Sequence, residues 1–346
     1  MNQKKLILLI SLLLLISCTG RSPGESPITT SKDFHKGTSA LAMSFLPNSP
    51  PKEIYESSSF ILGINIKNEG AIDIKDGILS LSVEDDYISL SKTKENDDTS
   101  VNWKTDLEKE STKQLSGNAL SFSLKGKNIF SPLGEQGYIY ITPETKNIPE
   151  QSQSLKSTII ATSCYKYKTE AVPTVCIDTD ITNTRQGEKS CIIKDISMDS
   201  QGAPIAVAKV EYQMLPLGEG YVKPEFIITV ENRGNGEVIY PDERTINSVC
   251  GHGELPKYSD AENQFTFNVV RLSAYLSGDR QLKCEPSSDD YSAVIRLKDR
   301  KGIARCTLKE GIDVAQSSFA TPLQISVDYG YTFTISQDVV IKKPAQ

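Results

Sequence analysis

The sequence predicts an all-β protein built from two tandem β-sandwich modules, and two observations lead to this prediction. Short runs that alternate apolar and polar residues recur between clusters of Gly, Pro, Asn, Asp and Ser, whereas long apolar helical repeats are missing. Such runs are typical of strands with one buried face. Separate stretches of the chain also match each other at one constant offset of 164 positions. The 346 residues are too many for one ordinary core and suit two domains.

The repeat is clearest in a strand that ends in an Asn-x-Gly tripeptide. Residues 60–70, FILGINIKNEG, end in Asn68-Glu69-Gly70, and residues 224–234 end in Asn232-Arg233-Gly234. Asn and Gly tolerate the positive φ of tight connections, so the tripeptide predicts a turn. The same offset carries Ala40-Leu41 to Pro204-Ile205, and it carries Tyr165, Tyr167, Val175 and Ile177 to Tyr329, Tyr331, Val339 and Ile341. Three regions with one offset indicate an internal duplication.

The other strands are expected in the intervening apolar runs. Besides the Asn-x-Gly strands, we expect them near 40–45, 77–83, 120–124 and 138–141, and again near 204–210, 265–271, 293–297 and 303–308. A terminal hairpin is expected to close each module, joining 159–167 to 174–177 and 323–333 to 338–341. Seven or so strands in about 150 residues are typical of an immunoglobulin-like sandwich. Residues 91–118 are charged and weakly periodic and predict a long loop, in which Trp103 either covers the core or is an exposed contact.

The first eighteen residues, MNQKKLILLISLLLLISC, have the order of a secretory signal. Lys4 and Lys5 precede an apolar run, and a small residue precedes Cys18. As a helix, that run would span about 18 Å, which is short of the ~30 Å hydrocarbon core, so a transmembrane anchor is not expected. The ending resembles a lipoprotein lipobox. This resemblance implies cleavage before Cys18 and a diacylglyceryl group on its sulfur, and two acyl chains make attachment stable. An ordinary cleaved signal or a core helix is the alternative.

The residues after Cys18 predict a tether and set the domain boundaries. Residues 19–36, TGRSPGESPITTSKDFHK, are polar and rich in Pro, Gly, Ser and Thr, a composition that cannot bury a core. The predicted division is a signal peptide at 1–17, the lipidated cysteine with its tether at 18–36, a first sandwich at 37–185 and a second at 186–346. The protein is therefore expected outside the cytoplasm, anchored by lipid to the membrane or outer envelope.

Charge narrows the class of partner. The net charge is −6, and acidic and basic residues are mixed along the chain. Without a basic stripe, nucleic-acid binding is not expected.

Six cysteines remain beside Cys18, and an even number in an exported chain favours disulfides. Fifteen pairings are possible, and the sequence alone does not choose among them. If the first terminal hairpin places Tyr165 opposite Val175, then Cys164 lies opposite Cys176, and this bridge is the first expectation. Cys284 with Cys306 is the second, which leaves Cys191 with Cys250. Zinc binding by Cys250 and His252 is the competing use, but no Cys-x-x-Cys accompanies them.

Candidates for chemistry are few. His252, in the segment VCGHGELP, could act as a general base, and a solvated loop histidine is the alternative interpretation. Asp178 and Asp180 lie at the module junction and could offer oxygen ligands to calcium, with solvated charge as the alternative. No motif assigns a catalytic residue, a resident metal or a cofactor, so we expect a protein that is not an enzyme.

The strand-Asn-x-Gly pattern, the tandem modules, the lipobox and the segments 164–169 and 175–177 together carry a family resemblance. The sequence resembles prokaryotic, specifically archaeal, cell-surface lipoproteins with adhesion-related or S-layer-associated immunoglobulin-like domains. This resemblance implies a lipid-anchored structural or protein-interaction module that contacts envelope proteins or surface polymers and has no catalytic role. A glycan- or calcium-binding surface module is the alternative.

Overall fold

A computed structural model describes residues 34–90, 101–115, 117–183, 189–218, 220–251, 267–277, 279–286 and 291–344. Most of these residues lie in β-strands, which confirms the all-β class. The described part also contains a 3-10 turn, Lys109–Ser111, and a short α-helix, α1 (Glu243–Val249). Asp242 caps α1, because its carboxylate accepts a hydrogen bond from the Thr245 N–H at 2.9 Å. None of the helices in this part of the chain has the length and apolar character needed to cross a bilayer.

The strands appear close to the positions that the alternating runs predict. In the first half they are β1 (Leu41–Phe45), β2 (Glu53–Tyr55), β3 (Leu62–Asn68), β4 (Ile74–Ser82), β5 (Ile88–Ser89), β6 (Lys104–Thr105), β7 (Thr112–Gln114), β8 (Ala119–Leu124), β9 (Gln136–Ile141), β10 (Glu144–Thr145), β11 (Ser154–Ala171) and β12 (Thr174–Ile177). In the second half they are β13 (Ile196–Ser197), β14 (Ile205–Pro216), β15 (Tyr221–Asn232), β16 (Glu237–Ile239), β17 (Val269–Leu276), β18 (Arg280–Gln281), β19 (Lys283–Glu285), β20 (Ala293–Arg296), β21 (Lys301–Thr307), β22 (Ile312–Asp313) and β23 (Phe319–Lys342).

A long antiparallel ribbon joins the two halves. β11 pairs with β23 from Ser154 opposite Lys342 to Ala171 opposite Ile325. After an interruption at Pro173, which has no N–H to donate, β12 continues along β23 in the same register, ending with Ile177 opposite Phe319. The ribbon lies at the centre of one large sheet, in which β17 flanks β23 and β4 flanks β11.

Two smaller sheets complete the core. Their orders are β1-β3-β9-β6 in the first half and β13-β14-β15-β21-β19 in the second. The inward residues of β3 and β15 are buried in one continuous cluster with inward residues of the large sheet, among them Leu79, Phe122 and Val327. Alternate residues of these strands face that cluster, as the period of two predicts.

The two predicted terminal hairpins are wrong. β11 does not turn back at Tyr167, and β23 runs through 334–338 as a single strand of 24 residues. No Gly, Pro or Asn occurs between Tyr331 and Lys342 to favour a turn there. The two halves therefore share one sheet, and the immunoglobulin-like character of the two modules stays a prediction. The proposed boundary between 185 and 186 lies outside the described residues, as do the signal peptide, Cys18 and most of the predicted tether.

The structure contains three disulfides, and one of the three expected pairings is confirmed. Cys284 bonds Cys306, directly opposite it on β19 and β21. The other two expected pairings are wrong, because Cys164 bonds Cys250 and Cys176 bonds Cys191. Without the hairpin, Cys164 and Cys176 lie twelve positions apart along one ribbon, a separation of about 40 Å. Three disulfides indicate an oxidising, extracytoplasmic location.

The predicted long loop is partly ordered. Residues 91–100 lie outside the described part, but β6, the 3-10 turn and β7 follow within 101–115. Trp103 is half-buried and packs against the main core, so it covers the core.

Candidate functional site

Four buried tyrosines meet at the centre of the ribbon, and we call them the tyrosine quartet. Tyr165 and Tyr167 come from β11, and Tyr329 and Tyr331 come from β23. The register places Tyr165 opposite Tyr331 and Tyr167 opposite Tyr329. Neighbouring rings form a closed square, with centroids 6.0 to 6.3 Å apart. The quartet therefore joins the two repeats through both ring packing and strand pairing.

The quartet hydroxyls bind backbone N–H groups in equivalent places. The Leu41 N–H donates to the Tyr165 hydroxyl at 3.2 Å, and the Ile205 N–H donates to that of Tyr329 at 3.4 Å. The Ile72 N–H donates to the Tyr167 hydroxyl at 3.0 Å, and the Gly236 N–H donates to that of Tyr331 at 2.7 Å. Leu41 and Ile205 are 164 positions apart, and so are Ile72 and Gly236. The offset found in the sequence thus reappears in the hydrogen bonds. Burial raises the pKa of all four phenols, so the quartet stays neutral and structural at ordinary pH.

The Asn-x-Gly turns lie against the quartet. The Asn68 side chain accepts a hydrogen bond from the Gly70 N–H at 3.0 Å, and Asn232 does the same with Gly234 at 3.1 Å. Neither glycine has positive φ, so the prediction that Asn and Gly occur here because they tolerate positive φ is wrong. A Cβ on Gly70 would overlap the Tyr167 hydroxyl, and one on Gly234 would overlap that of Tyr331. These glycines are needed because the turn approaches a ring closely.

A cleft of about 900 Å³ opens beside the quartet in the first half. Residues 166–168 of β11 form one wall, and residues 71–73 with the start of β4 form another. Helix α1 supplies Glu243, Ile246 and Asn247, and the Cys164–Cys250 disulfide holds the end of this helix against β11. A smaller cleft of about 310 Å³ lies beside the equivalent turn at Gly234.

Comparison of the repeats explains the cleft. In the second half, β16 pairs with β23 at residues 330–332. The equivalent residues of β11, 164 positions earlier, are 166–168, and these line the cleft. On this edge, β4 pairs with β11 only between Ile160 and Cys164, and the start of β4 contains a register shift between Ile74 and Gly77. Among the described strands, none occupies in the first half the place that β16 occupies in the second.

The lining of the cleft is apolar inside and of mixed charge at the rim. Ile72, Ile78, Leu115 and Ile246 supply the apolar surface. At the rim, the Lys166 ammonium lies 3.6 Å from the Glu243 carboxylate, and both side chains are exposed. Burial raises the pKa of Asp328, while the positive charges of Lys168 and Arg271, its neighbours on the two adjacent strands, oppose that rise. This surface suits a segment of mixed polarity better than a polyanion.

The predicted calcium ligands do not form an open site. The Asp178 carboxylate binds the Lys189 ammonium at 2.6 Å and accepts hydrogen bonds from the Asp180 N–H and the Ser318 hydroxyl. Burial raises the pKa of Asp178, but these hydrogen bonds outweigh burial and hold it below its ordinary value. Among the described residues, no group of three or more His, Cys, Asp or Glu side chains is arranged to hold a metal ion. His252 lies outside the described residues.

The residues that line the cleft could not be found from the sequence. Tyr165 and Tyr167 are visible there as repeat positions, but Lys166, Lys168 and Asp328 carry no motif. Their proximity depends on the pairing of β11 with β23, which the alternation of apolar residues does not specify.

No protein-family model matches the chain, and no curated protein matches it. A solved structure similar to the chain is the secreted serine protease VesC from Vibrio cholerae, with 10% identity, a TM-score of 0.16 and coverage of 80% of this chain. The chain spans about half, 48%, of the length of that protease chain. This finding goes against the prediction that the protein is not an enzyme, and that prediction is withdrawn. A likeness with so low a TM-score carries no argument for proteolysis here.

Proposed function

We propose that this protein is a lipid-anchored envelope protein that binds an extended segment of a partner protein in the cleft beside the tyrosine quartet. The observation that carries the proposal is the difference between the repeats. The strand position that β16 fills in the second half is filled by none of the described strands in the first half, and the cleft lies there.

A strand added at this position has both sources of affinity that strand addition requires. Its backbone would pair with residues 166–168, as β16 pairs with 330–332. Alternate side chains would enter the apolar surface formed by Ile72 and Ile246. The lysines and carboxylates at the rim would set orientation and register.

Three disulfides support the envelope location of this binding module. We propose that Cys18 carries the lipid, since its lipobox resemblance accounts for membrane attachment without a transmembrane helix. The resemblance to archaeal cell-surface lipoproteins with immunoglobulin-like domains agrees with such a role. Cys18→Ser should release the protein from the membrane fraction, and retention of this variant after a high-salt wash would refute the lipid anchor.

Strand addition can be tested with peptides selected from a random display library against the full protein. A selected peptide, labelled with a fluorophore, should bind with a measurable Kd and slow hydrogen exchange of the amides at 166–168. Asn247→Trp should weaken binding at least tenfold, because position 247 lines the cleft. Arg244→Trp is the matched control, since Arg244 is exposed on the same helix but does not line the cleft. Peptide binding without protection of 166–168, or equal loss in both variants, would overturn the strand-addition proposal.

A further inference from the structure

The loop at residues 125–135 exposes large apolar side chains, and we call it the apolar loop. Ile129 is 69% exposed, Phe130 is 96% exposed and Leu133 is 71% exposed. Single exposed apolar residues are ordinary, but these three lie within five positions on one loop and give it an exposed apolar patch. Burial of this patch against an apolar surface would be favourable.

The apolar loop has a defined shape. The Asn128 side chain accepts hydrogen bonds from the N–H groups of Phe130 and Ser131, both at 2.9 Å. At the base, the Glu135 N–H donates to the Lys125 carbonyl at 3.0 Å, and the Lys127 N–H donates to the Gly70 carbonyl at 2.7 Å. These hydrogen bonds, within the loop and to the Asn-x-Gly turn, fix the backbone of the loop. The exposure of Phe130 is therefore a property of the folded structure.

The apolar loop lies on the side where the described chain begins. The Ala71 N–H, next to Gly70, donates to the Gly202 carbonyl at 2.9 Å. A methyl group on Gly202 would lie 2.9 Å from the Phe34 carbonyl oxygen, and the Phe34 side chain is buried there. The turn that supports the apolar loop therefore also lies beside the start of the described chain.

This position limits the distance to the predicted anchor. Phe34 lies sixteen positions after Cys18, and such a length of chain spans at most about 55 Å. Lys125 and Lys127 precede the apolar tip and Glu135 follows it, so the loop carries one more positive than negative charge, which suits an anionic lipid surface.

We propose that the apolar loop inserts Ile129, Phe130 and Leu133 into the surface of the lipid bilayer that carries the anchor. The orientation rests on the proposed lipidation of Cys18, but insertion by the loop is a separate contact. The loop and the anchor would together give the molecule two points of attachment, which hold this end of the fold against the membrane.

The test uses the full mature lipoprotein with Phe130→Trp, reconstituted in vesicles of phosphatidylcholine and phosphatidylglycerol. Bromine on the lipid acyl chains quenches a tryptophan that enters the bilayer. Trp103 fluoresces in both the wild type and the variant, so its signal is subtracted. We expect the bromine to reduce the remaining fluorescence, which comes from the tryptophan at position 130, at least twofold. The matched control is Ile61→Trp, since Ile61 is 59% exposed but adjoins the far end of β3, roughly 23 Å from Asn68.

The possible outcomes separate the two proposals. Mass spectrometry of the N-terminal peptide reports lipidation of Cys18 independently of the fluorescence. Equal quenching of Phe130→Trp and Ile61→Trp, or quenching of neither, would overturn insertion by the loop even if Cys18 is lipidated. A blue shift of the tryptophan at 130 that depends on protein concentration without lipid would assign the patch to self-association and would also overturn it.

Discussion

Lys166 and Gly330 lie opposite each other in the antiparallel register of β11 and β23, and they are also 164 positions apart, the offset of the repeat. Exchange of the two repeats therefore puts Gly330 in the place of Lys166 and Lys166 in the place of Gly330, so the pair maps onto itself. The halves are therefore related by a local two-fold axis through this pair. The arrangement is that of an isologous dimer whose two copies are joined in one chain.

This symmetry predicts matched energetic roles for equivalent tyrosines. Tyr165→Phe leaves the Leu41 N–H without its partner, and Tyr329→Phe does the same to Ile205. We expect each variant to lower the free energy of unfolding by about 1–3 kcal/mol, measured by urea denaturation. Tyr138→Phe, which loses only an exposed hydrogen bond from Gln136, should change it by less than about 0.5 kcal/mol. A loss confined to one repeat would contradict equivalent roles.

The quartet also predicts a loss of stability at alkaline pH. Burial raises the folded-state pKa of all four phenols, whereas an unfolded tyrosine has a pKa of about 10. The contribution of the phenols is complete below about pH 10 and is lost as the pH rises from there towards the folded-state pKa values. Each buried phenol adds up to about 1.4 kcal/mol of lost stability per pH unit within that range.

Denaturation measured at about pH 9 to 11 should show this loss, and tyrosinate absorbance of the quartet should appear together with unfolding. The double variant Tyr165→Phe and Tyr329→Phe has two fewer buried phenols, so its stability should fall less steeply with pH. An equal slope in the two proteins would show that other groups cause the alkaline loss.

The contact between Gly70 and Tyr167 predicts a coupled pair of substitutions. Gly70→Ala should lower the free energy of unfolding by about 1–3 kcal/mol, because its Cβ would overlap the Tyr167 hydroxyl. In the Tyr167→Phe background, where that hydroxyl is missing, the same change should cost less. A double-mutant cycle measures this coupling. The comparison is Gly70→Ala in the Tyr165→Phe background, which keeps the Tyr167 hydroxyl and should show the full cost. Strictly additive effects for Gly70 and Tyr167 would refute the close approach.

The disulfides should differ in their contribution to stability. Cys164–Cys250 closes 86 positions of chain, and Cys176–Cys191 closes 15. In the chain-entropy model these loops stabilise by about 4–5 and about 3 kcal/mol, respectively. Replacement of both cysteines of each pair by serine, followed by thermal and chemical unfolding, should give that order. The reverse order would mean that native contacts around the sulfurs outweigh the effect on the unfolded chain.

The sequence was informative about strands and equivalent positions, and uninformative about which strands are neighbours. Alternation identifies the buried face of β3 and of β15, because it reports the environment of one strand. It does not report pairing between strands far apart in the chain, so β11 was assigned to the wrong partner and Cys164 with it. The cleft exists because, among the described strands, the first repeat has no counterpart of β16. Only the registers of β4 and β16 make this difference visible.

The length and position of β23 have a consequence for how the protein is made. This one strand pairs with β2, β11, β12, β16 and β17, and it lies at the C-terminal end of the described chain. The large sheet of the first half therefore cannot close until those residues have been synthesised, and contacts so distant in sequence form slowly. A chain that stays open until β23 has emerged is well suited to export through a narrow translocation pore, and it completes its fold where disulfides can form.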